Sequence, residues 1–327
     1  MTAIHNRKKV NFKSVADLNE LVINSIPKLP QDLTLVAAVP RSGYLVAGLI
    51  ALYQNLPMCS YNEYISRRLP VGGRRTKDFD HENLATQKVL VVDDSVSSGW
   101  EMRRLREQFE SSDLEIETLF LAAYVSKKAL DVVDIALEIT DPPQIFEWNL
   151  YHHPHLINSC VDIDGVICRD ATKEEDDDGQ RYRQFLETAE PRIIPTVTIG
   201  WLVTSRLEKY RELTENWLRK HGVKYKHLIM QDLPDLATRK QRRSDAKFKA
   251  EVFASLDAFL FVESSAWQSR EIARRTGKAV FSTDDRTFIQ AKVLEGKAWN
   301  ALRSSAGVLA NVGSKLASLP GKLNKDA

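Results

Sequence analysis

Cysteine is scarce in this chain of 327 residues: Cys59, Cys160 and Cys168 are all it has. Three are too few for a disulfide framework and fit reduced thiols in a cytoplasm. No run of about 18 apolar residues occurs, so no membrane span is expected. The basic start, MTAIHNRKKV, has no apolar stretch behind it and does not read as a secretory signal. Charge of one sign is not in excess. Lys+Arg 46 against Asp+Glu 44 leave a net charge of +2, which gives no reason to expect a nucleic-acid partner. With 14 Gly and 12 Pro, and 43% hydrophobic and 28% charged residues, a collagen-like fibre, a disordered chain and a coiled coil are excluded. The length suggests two domains on the usual scale of roughly 150 residues each.

Apolar runs of strand length alternate with longer amphipathic stretches. Strands are expected at 33–39, 88–92, 116–125, 157–161, 199–203, 226–230 and 258–262. Helices are expected at 43–55, 99–111, 207–221 and 245–256. Such alternation implies βαβ units and an α/β fold of parallel sheets with helices on both faces. Two sets appear, divided at WNLYHHPHL, so the expected domains are 1–150 and 151–289. The acidic run KEEDDDGQ (173–180) reads as a solvated loop. The segment 290–327 is basic, with apolar residues at roughly helical spacing broken by Gly and Pro. It is expected to be a helical or flexible tail able to dock on its own protein, a membrane surface or a partner.

The first constellation is Lys88-Val-Leu-Val-Val-Asp93-Asp94-Ser95-Val-Ser97-Ser98-Gly99. An apolar strand ends in two carboxylates, where ligands of open α/β sheets bind. Small hydrogen-bonding residues then open a helix whose N–H groups attract phosphate. Acids for hydroxyls beside a cradle for phosphate suit a sugar phosphate. The segment resembles the phosphoribosyl pyrophosphate (PRPP) motif of type I phosphoribosyltransferases, with Glu101 as a departure where many members carry a small or hydroxyl residue. The resemblance implies that Asp93 and Asp94 bind ribose hydroxyls, that Ser95, Ser97, Ser98 and Gly99 hold the 5′-phosphate, and that Arg41, Ser42 and Gly43 hold pyrophosphate. It also implies that the basic segment 65–77 is a loop closing over PRPP. Phe146 and Trp148 lie where members place a hood over the acceptor base. They are expected to stack on that base or to pack at the domain junction.

The second constellation is Cys160-Val-Asp162-Ile-Asp164-Gly165, a strand ending in carboxylates spaced i, i+2. On an extended backbone these share a face, and the turn at Gly165 lets both reach one cation and one phosphate. An aspartate can attack phosphorus, a second can move the proton, and Mg²⁺ can offset the charge. With Trp201-Leu-Val-Thr204-Ser205-Arg206, Lys249 in KFKAEVF (Lys247 as substitute) and Leu260-Phe-Val-Glu263 following in order, the segment resembles the haloacid dehalogenase-like (HAD) phosphohydrolases. That resemblance implies Asp162 as nucleophile, Asp164 as acid–base, Thr204 and Ser205 on the phosphoryl group, Lys249 beside them, and Mg²⁺ held by Asp162, Asp164 and Glu263. Only a small cap fits between the first two motifs. His152, His153 and His155 read as linker residues, since no cysteine pair completes a zinc site.

Taken together, the resemblances imply two doubly wound parallel-sheet domains, a transferase-like one and a HAD-like one. Fusions of this type are similar to those in bacterial and phage gene clusters associated with stress and tellurite resistance. The implied function is PRPP-dependent transfer to, or phosphorolysis from, a nucleobase-like acceptor, coupled to hydrolysis of a phosphomonoester. The alternative is a phosphatase whose transferase-fold domain only senses PRPP or a nucleotide. A homodimer is also implied as possible.

Overall fold

The computed structural model describes residues 10–68, 87–242 and 244–290. Most of the expected closing loop at 65–77 and the tail at 290–327 lie outside them. The chain divides into two compact units, 1–153 and 154–327.

Unit 1 runs β1 (Asn11–Lys13), α1 (Val15–Ser25), β2 (Leu35–Ala38), α2 (Gly43–Gln54), β3 (Met58–Ser60), α3 (Tyr61–Ile65), β4 (Lys88–Val96), α4 (Trp100–Glu110), β5 (Glu117–Val125), β6 (Ile135–Ile139) and β7 (Gln144–Phe146). Five strands form a parallel sheet in the order β3-β2-β4-β5-β6. The apolar run Val89–Val92 explains its placement. Val89 and Val91 enter one hydrophobic cluster, and Leu90 and Val92 enter another. A strand buried on both faces has no polar alternation to show. From β2 the chain crosses to β3 on one side, and from β4 it crosses to β5 on the other. The crevice between the carboxyl ends of β2 and β4 is therefore the topological switch point.

A separate parallel pair joins β1 to β7. Neither strand was expected, and neither was α1. The signal for α1 was present. Ser14 and Asp17 form a reciprocal capping box, and Leu18 and Val22 bury the helix face.

Unit 2 runs β8 (Ser159–Val161), α5 (Gln180–Thr188), β9 (Ile199–Leu207), α6 (Arg211–Lys220), β10 (Tyr225–Gln231), α7 (Leu236–Arg242), α8 (Asp245–Ser255), β11 (Leu260–Glu263), α9 (Ala266–Thr276), β12 (Ala279–Ser282) and β13 (Thr287–Gln290). The sheet order is β10-β9-β8-β11-β12-β13. It is parallel except for the edge strand β13, which runs antiparallel to β12. This corrects the expectation of a wholly parallel sheet. Its switch point lies between β8 and β11, where Val161 is paired with Val262. That pairing brings Asp162 and Glu263, a hundred positions apart in sequence, to one crevice.

The acidic run is not simply solvated. Glu175 forms a two-pronged ion pair with Arg169, at 2.6 and 2.7 Å. Asp177 accepts the N–H groups of Gly179 and Tyr182 at the start of α5, and Asp178 binds Lys209 and the Tyr210 hydroxyl. Local capping, Arg169 just before the run, and Lys209 and Tyr210 just after β9 use these charges structurally.

Candidate functional sites

In unit 1 the strand does not stop before the acids. β4 continues to Val96 because β5 keeps pairing with it, with Asp93 opposite Ala122 and Ser95 opposite Tyr124. On the other side β2 has already ended, opposite Val92. Asp93 and Asp94 thus border the switch-point crevice. Gly43, the first residue of α2, presses its backbone against them. A Cβ there would lie 2.5 Å from the Val92 carbonyl oxygen and 3.2 Å from Asp93 Cα. Only glycine allows this approach. The preceding Pro40–Arg41 peptide is cis.

Asp93 Oδ1 accepts the N–H of Asp94 at 2.8 Å. Burial pushes both carboxyls above the usual range, Asp93 well above it, where the charge of Asp94 adds to the effect. At Asp94 the rise is opposed by the indole N–H of Trp148, which donates to Oδ2 at 2.7 Å. The next residue, Asn149, accepts from Arg41 Nη2 at 2.5 Å. Two consecutive residues, Trp148 and Asn149, therefore hold Asp94 of β4 and Arg41 of the segment before α2.

The Ser95–Gly99 loop leads into α4. Ser97 and Ser98 are exposed, and Gly99 is buried in the left-handed region at φ 79°. Glu101, the departure from the family pattern, points onto its own helix and binds Arg104 Nε and Nη2. Its carboxyl is held below the usual range by that pair.

Phe146 is only 6% exposed. Its ring clusters with Tyr124, at 5.3 Å, and Trp148, at 4.9 Å, which are themselves 6.3 Å apart. It is a core residue and has no face for an acceptor base. Trp148 is packed on it and keeps its polar edge for Asp94.

In unit 2 Asp162, Lys249 and Glu263 form one buried cluster. The Lys249 ammonium donates to Asp162 Oδ2 at 2.6 Å and Glu263 Oε2 at 2.7 Å. The three are 4%, 2% and 0% exposed, so this network is not screened by water. Two carboxylates face one ammonium. Burial raises Asp162 well above its usual range despite Lys249, and the charges of Glu263 and Asp164 add to the rise. Burial would lower Lys249, but the two acids hold it above its ordinary value. Lys247, the substitute, is on the surface beside Glu251.

Asp164 takes a different partner. Arg206, 1% exposed, grips it through Nε and Nη2 at 3.0 and 2.7 Å. Burial works against ionisation, yet Arg206 keeps the carboxyl below its usual range. The i, i+2 spacing thus delivers both aspartates to one cavity but not to one point. Gly165, at φ 75°, turns the chain tightly against Ser264. Thr204 is fully buried and its hydroxyl accepts the Arg206 N–H at 3.2 Å, whereas Ser205 lines the cavity.

Asp162 and Glu263 offer hard oxygen donors of the kind Mg²⁺ takes. The carboxylate of Asp164 does not join them, because both of its oxygens face Arg206. Among the described residues, no group of three His, Cys, Asp or Glu is placed to hold a metal ion. No described helix is long and apolar enough to cross a membrane.

The sequence reading did not assign Arg206, although it follows the Thr204-Ser205 pair at the end of β9. It also missed Asn149, which accepts from Arg41, and Arg239, which lines the cavity beside Asp162. Arg239 lies on α7, an element with no expected boundary, so no local signal pointed to it.

No family model and no curated protein matches the sequence. Solved structures similar to part of the chain include a xanthine-guanine-hypoxanthine phosphoribosyltransferase from Helicobacter pylori. It is 13% identical, with 43% of this chain and 93% of that one covered, at a TM-score of 0.33. A purine phosphoribosyltransferase from Pyrococcus horikoshii is 14% identical, with 43% and 94% covered, at 0.33. An adenine phosphoribosyl transferase from Trypanosoma brucei, in complex with AMP, pyrophosphate and ribose-5-phosphate, is 11% identical, with 38% and 63% covered, at 0.27. Likeness this remote decides nothing about activity.

Proposed function

We propose that the chain is a bifunctional enzyme. Unit 1 transfers a phosphoribosyl group from PRPP to a nucleobase-like acceptor, or runs the reverse phosphorolysis, and unit 2 hydrolyses the phosphomonoester produced. The observation that carries the reading is the Asp93–Asp94 pair at the switch point of the first sheet, with the Gly43 backbone packed against it.

In unit 1, Asp93 and Asp94 take the ribose hydroxyls and face the positive charge that develops at C1. Ser95, Ser97, Ser98 and the N–H groups opening α4 hold the 5′-phosphate. Arg41, Ser42 and Gly43 hold the pyrophosphate as the C1–O bond breaks and a base nitrogen takes its place.

In unit 2, Asp162 attacks phosphorus, the ester oxygen departs, and water then hydrolyses the aspartyl phosphate. Lys249 stabilises charge shared between Asp162 and the phosphoryl group. Ser205 supplies a hydroxyl beside it. For Asp164 to protonate the leaving oxygen, its carboxylate must release Arg206. Bound by Asp162 and Glu263, Mg²⁺ would offset the repulsion between carboxylate and phosphate.

The order makes chemical sense. The first product carries the phosphate that the second site removes, and its removal draws a reversible transfer forward. The sensor alternative loses its main support, because Glu101 is engaged by Arg104.

The test is incubation of the full chain with labelled PRPP, Mg²⁺ and a panel of bases. A dephosphorylated nucleoside is expected, with Asp162→Asn halting the sequence at the nucleotide. If neither the panel nor a cell extract leads to PRPP consumption, the transferase half fails. If the parent accumulates nucleotide without loss of phosphate, the hydrolase half fails.

A further inference from the structure

The segment between β2 and α2, Val39 to Gly43, carries one cation, Arg41. Arg41 is exposed, and its guanidinium is held from outside the segment: Nη2 donates to the side-chain oxygen of Asn149 at 2.5 Å. Among the described residues that amide is its side-chain partner, and no carboxylate pairs with it. The arginines of the first turns of α4 differ. Arg103 is paired with Asp131 and Arg104 with Glu101, so the protein itself answers their charge. The charge of Arg41 is left for a ligand.

The neutrality of the partner matters. A carboxylate in its place would orient the guanidinium as well, but would offset its charge and compete with a phosphate for the same N–H groups. An amide oxygen accepts a hydrogen bond and brings no charge. The planar fork of arginine offers five N–H donors, so one given to Asn149 leaves the others for ligand oxygens. Without such a contact an exposed arginine spreads over many rotamers, and binding must then order it.

Asn149 can orient Arg41 because its own place is fixed. It lies in the 3₁₀ turn Glu147–His152. Glu147 accepts the Val15 N–H at 2.9 Å, Trp148 stacks on Phe146 and donates to Asp94, and Leu150 is buried. Gly43, just beyond Arg41, packs against Asp93, so cation and acids border one crevice. One turn thus reaches both sides of the bond that the transfer breaks: Trp148 holds an acid that faces the ribose, and Asn149 holds the cation that faces the departing pyrophosphate.

We propose that Asn149 is a positioning residue of the pyrophosphate subsite: its amide oxygen fixes the direction of Arg41 without neutralising it. The role rests on the transferase reading of unit 1 and adds to it a residue that touches no substrate.

The test is calorimetry on the full chain in an Asp162→Asn background, so that unit 2 turns nothing over. The probes are pyrophosphate with Mg²⁺, PRPP with Mg²⁺, and ribose 5-phosphate, and Arg41→Ala identifies the pyrophosphate heat that belongs to unit 1. Asn149→Ala is expected to weaken pyrophosphate and PRPP about tenfold, as loss of a hydrogen bond to a charged group does, and ribose 5-phosphate by less than about twofold. Asn149→Asp is expected to weaken pyrophosphate at least as much, although it grips Arg41 harder. Combined with Arg41→Ala, Asn149→Ala should add less than about twofold. Three results would each overturn the positioning role while leaving a transferase site in place: unchanged pyrophosphate affinity in Asn149→Ala, parent-like affinity in Asn149→Asp, or an equal loss for ribose 5-phosphate. If the parent binds neither pyrophosphate nor PRPP, the transferase reading of unit 1 falls, and the role of Asn149 falls with it.

Discussion

Trp148 donates its indole N–H to Asp94 Oδ2 at 2.7 Å, tying the turn that follows β7 to the acid pair of β4. The ring stacks on Phe146 at 4.9 Å, so its position is fixed by packing. Asp94 therefore has one oxygen oriented before any ligand arrives. Trp148→Phe keeps the ring and removes the donor. Its PRPP dissociation constant, by calorimetry, is expected to rise about tenfold, in line with a hydrogen bond to a charged group. In an Asp94→Asn background the same change is expected to add little. Additive effects would show that Trp148 acts elsewhere.

Glu101 departs from the family pattern near the expected phosphate cradle, yet Arg104 holds it. Glu101→Thr is expected to change PRPP affinity by less than about threefold, because an exposed, paired charge acts weakly at a distance. Tightening by a hundredfold would revive the view that unit 1 only senses its ligand.

The Asp93 carboxyl is raised well above the ordinary range by burial and by Asp94. A group raised on folding gives its full stability below its unfolded pKa and loses it as pH climbs through the folded one. At neutral pH the pair is therefore destabilising. Asp93→Asn is expected to stabilise the protein by on the order of 1 kcal/mol at about pH 7 and by little at about pH 3, while abolishing transfer. Thermal melts across that range check the sign. A variant less stable at neutral pH would contradict it.

Lys249 is the ammonium shared by Asp162 and Glu263. Lys249→Met leaves two buried carboxylates without it and is expected to cost about 3–5 kcal/mol in denaturant unfolding. Adding Asp162→Asn removes one of the orphaned charges and should recover part of the loss. If the double variant is less stable than the single one, the shared charge is not what Lys249 supplies.

Much of both sites is determined by local sequence. Hydrophobic runs on both sheet faces set β2, β4, β9 and β11. The acids at the ends of β8 and β11 fall at carboxyl edges because the apolar run ends there, whereas Asp93 and Asp94 lie inside β4, just past the point where β2 stops pairing with it. Gly43 and Gly165 mark close approaches that no side chain tolerates. Short edge strands such as β3, β7 and β13 left no such run, and the β1–β7 pairing joins segments more than a hundred residues apart. Only the tertiary structure decided which charges meet. Asp162 and Asp164, two positions apart, are separated by their partners, Lys249 and Arg206. Trp148, readable as a platform for a base, spends one face on Phe146 and its N–H on Asp94. Local pattern fixes where a side chain starts. A buried charge or donor then turns to whichever counterpart the packing brings within reach, and that counterpart comes from another element.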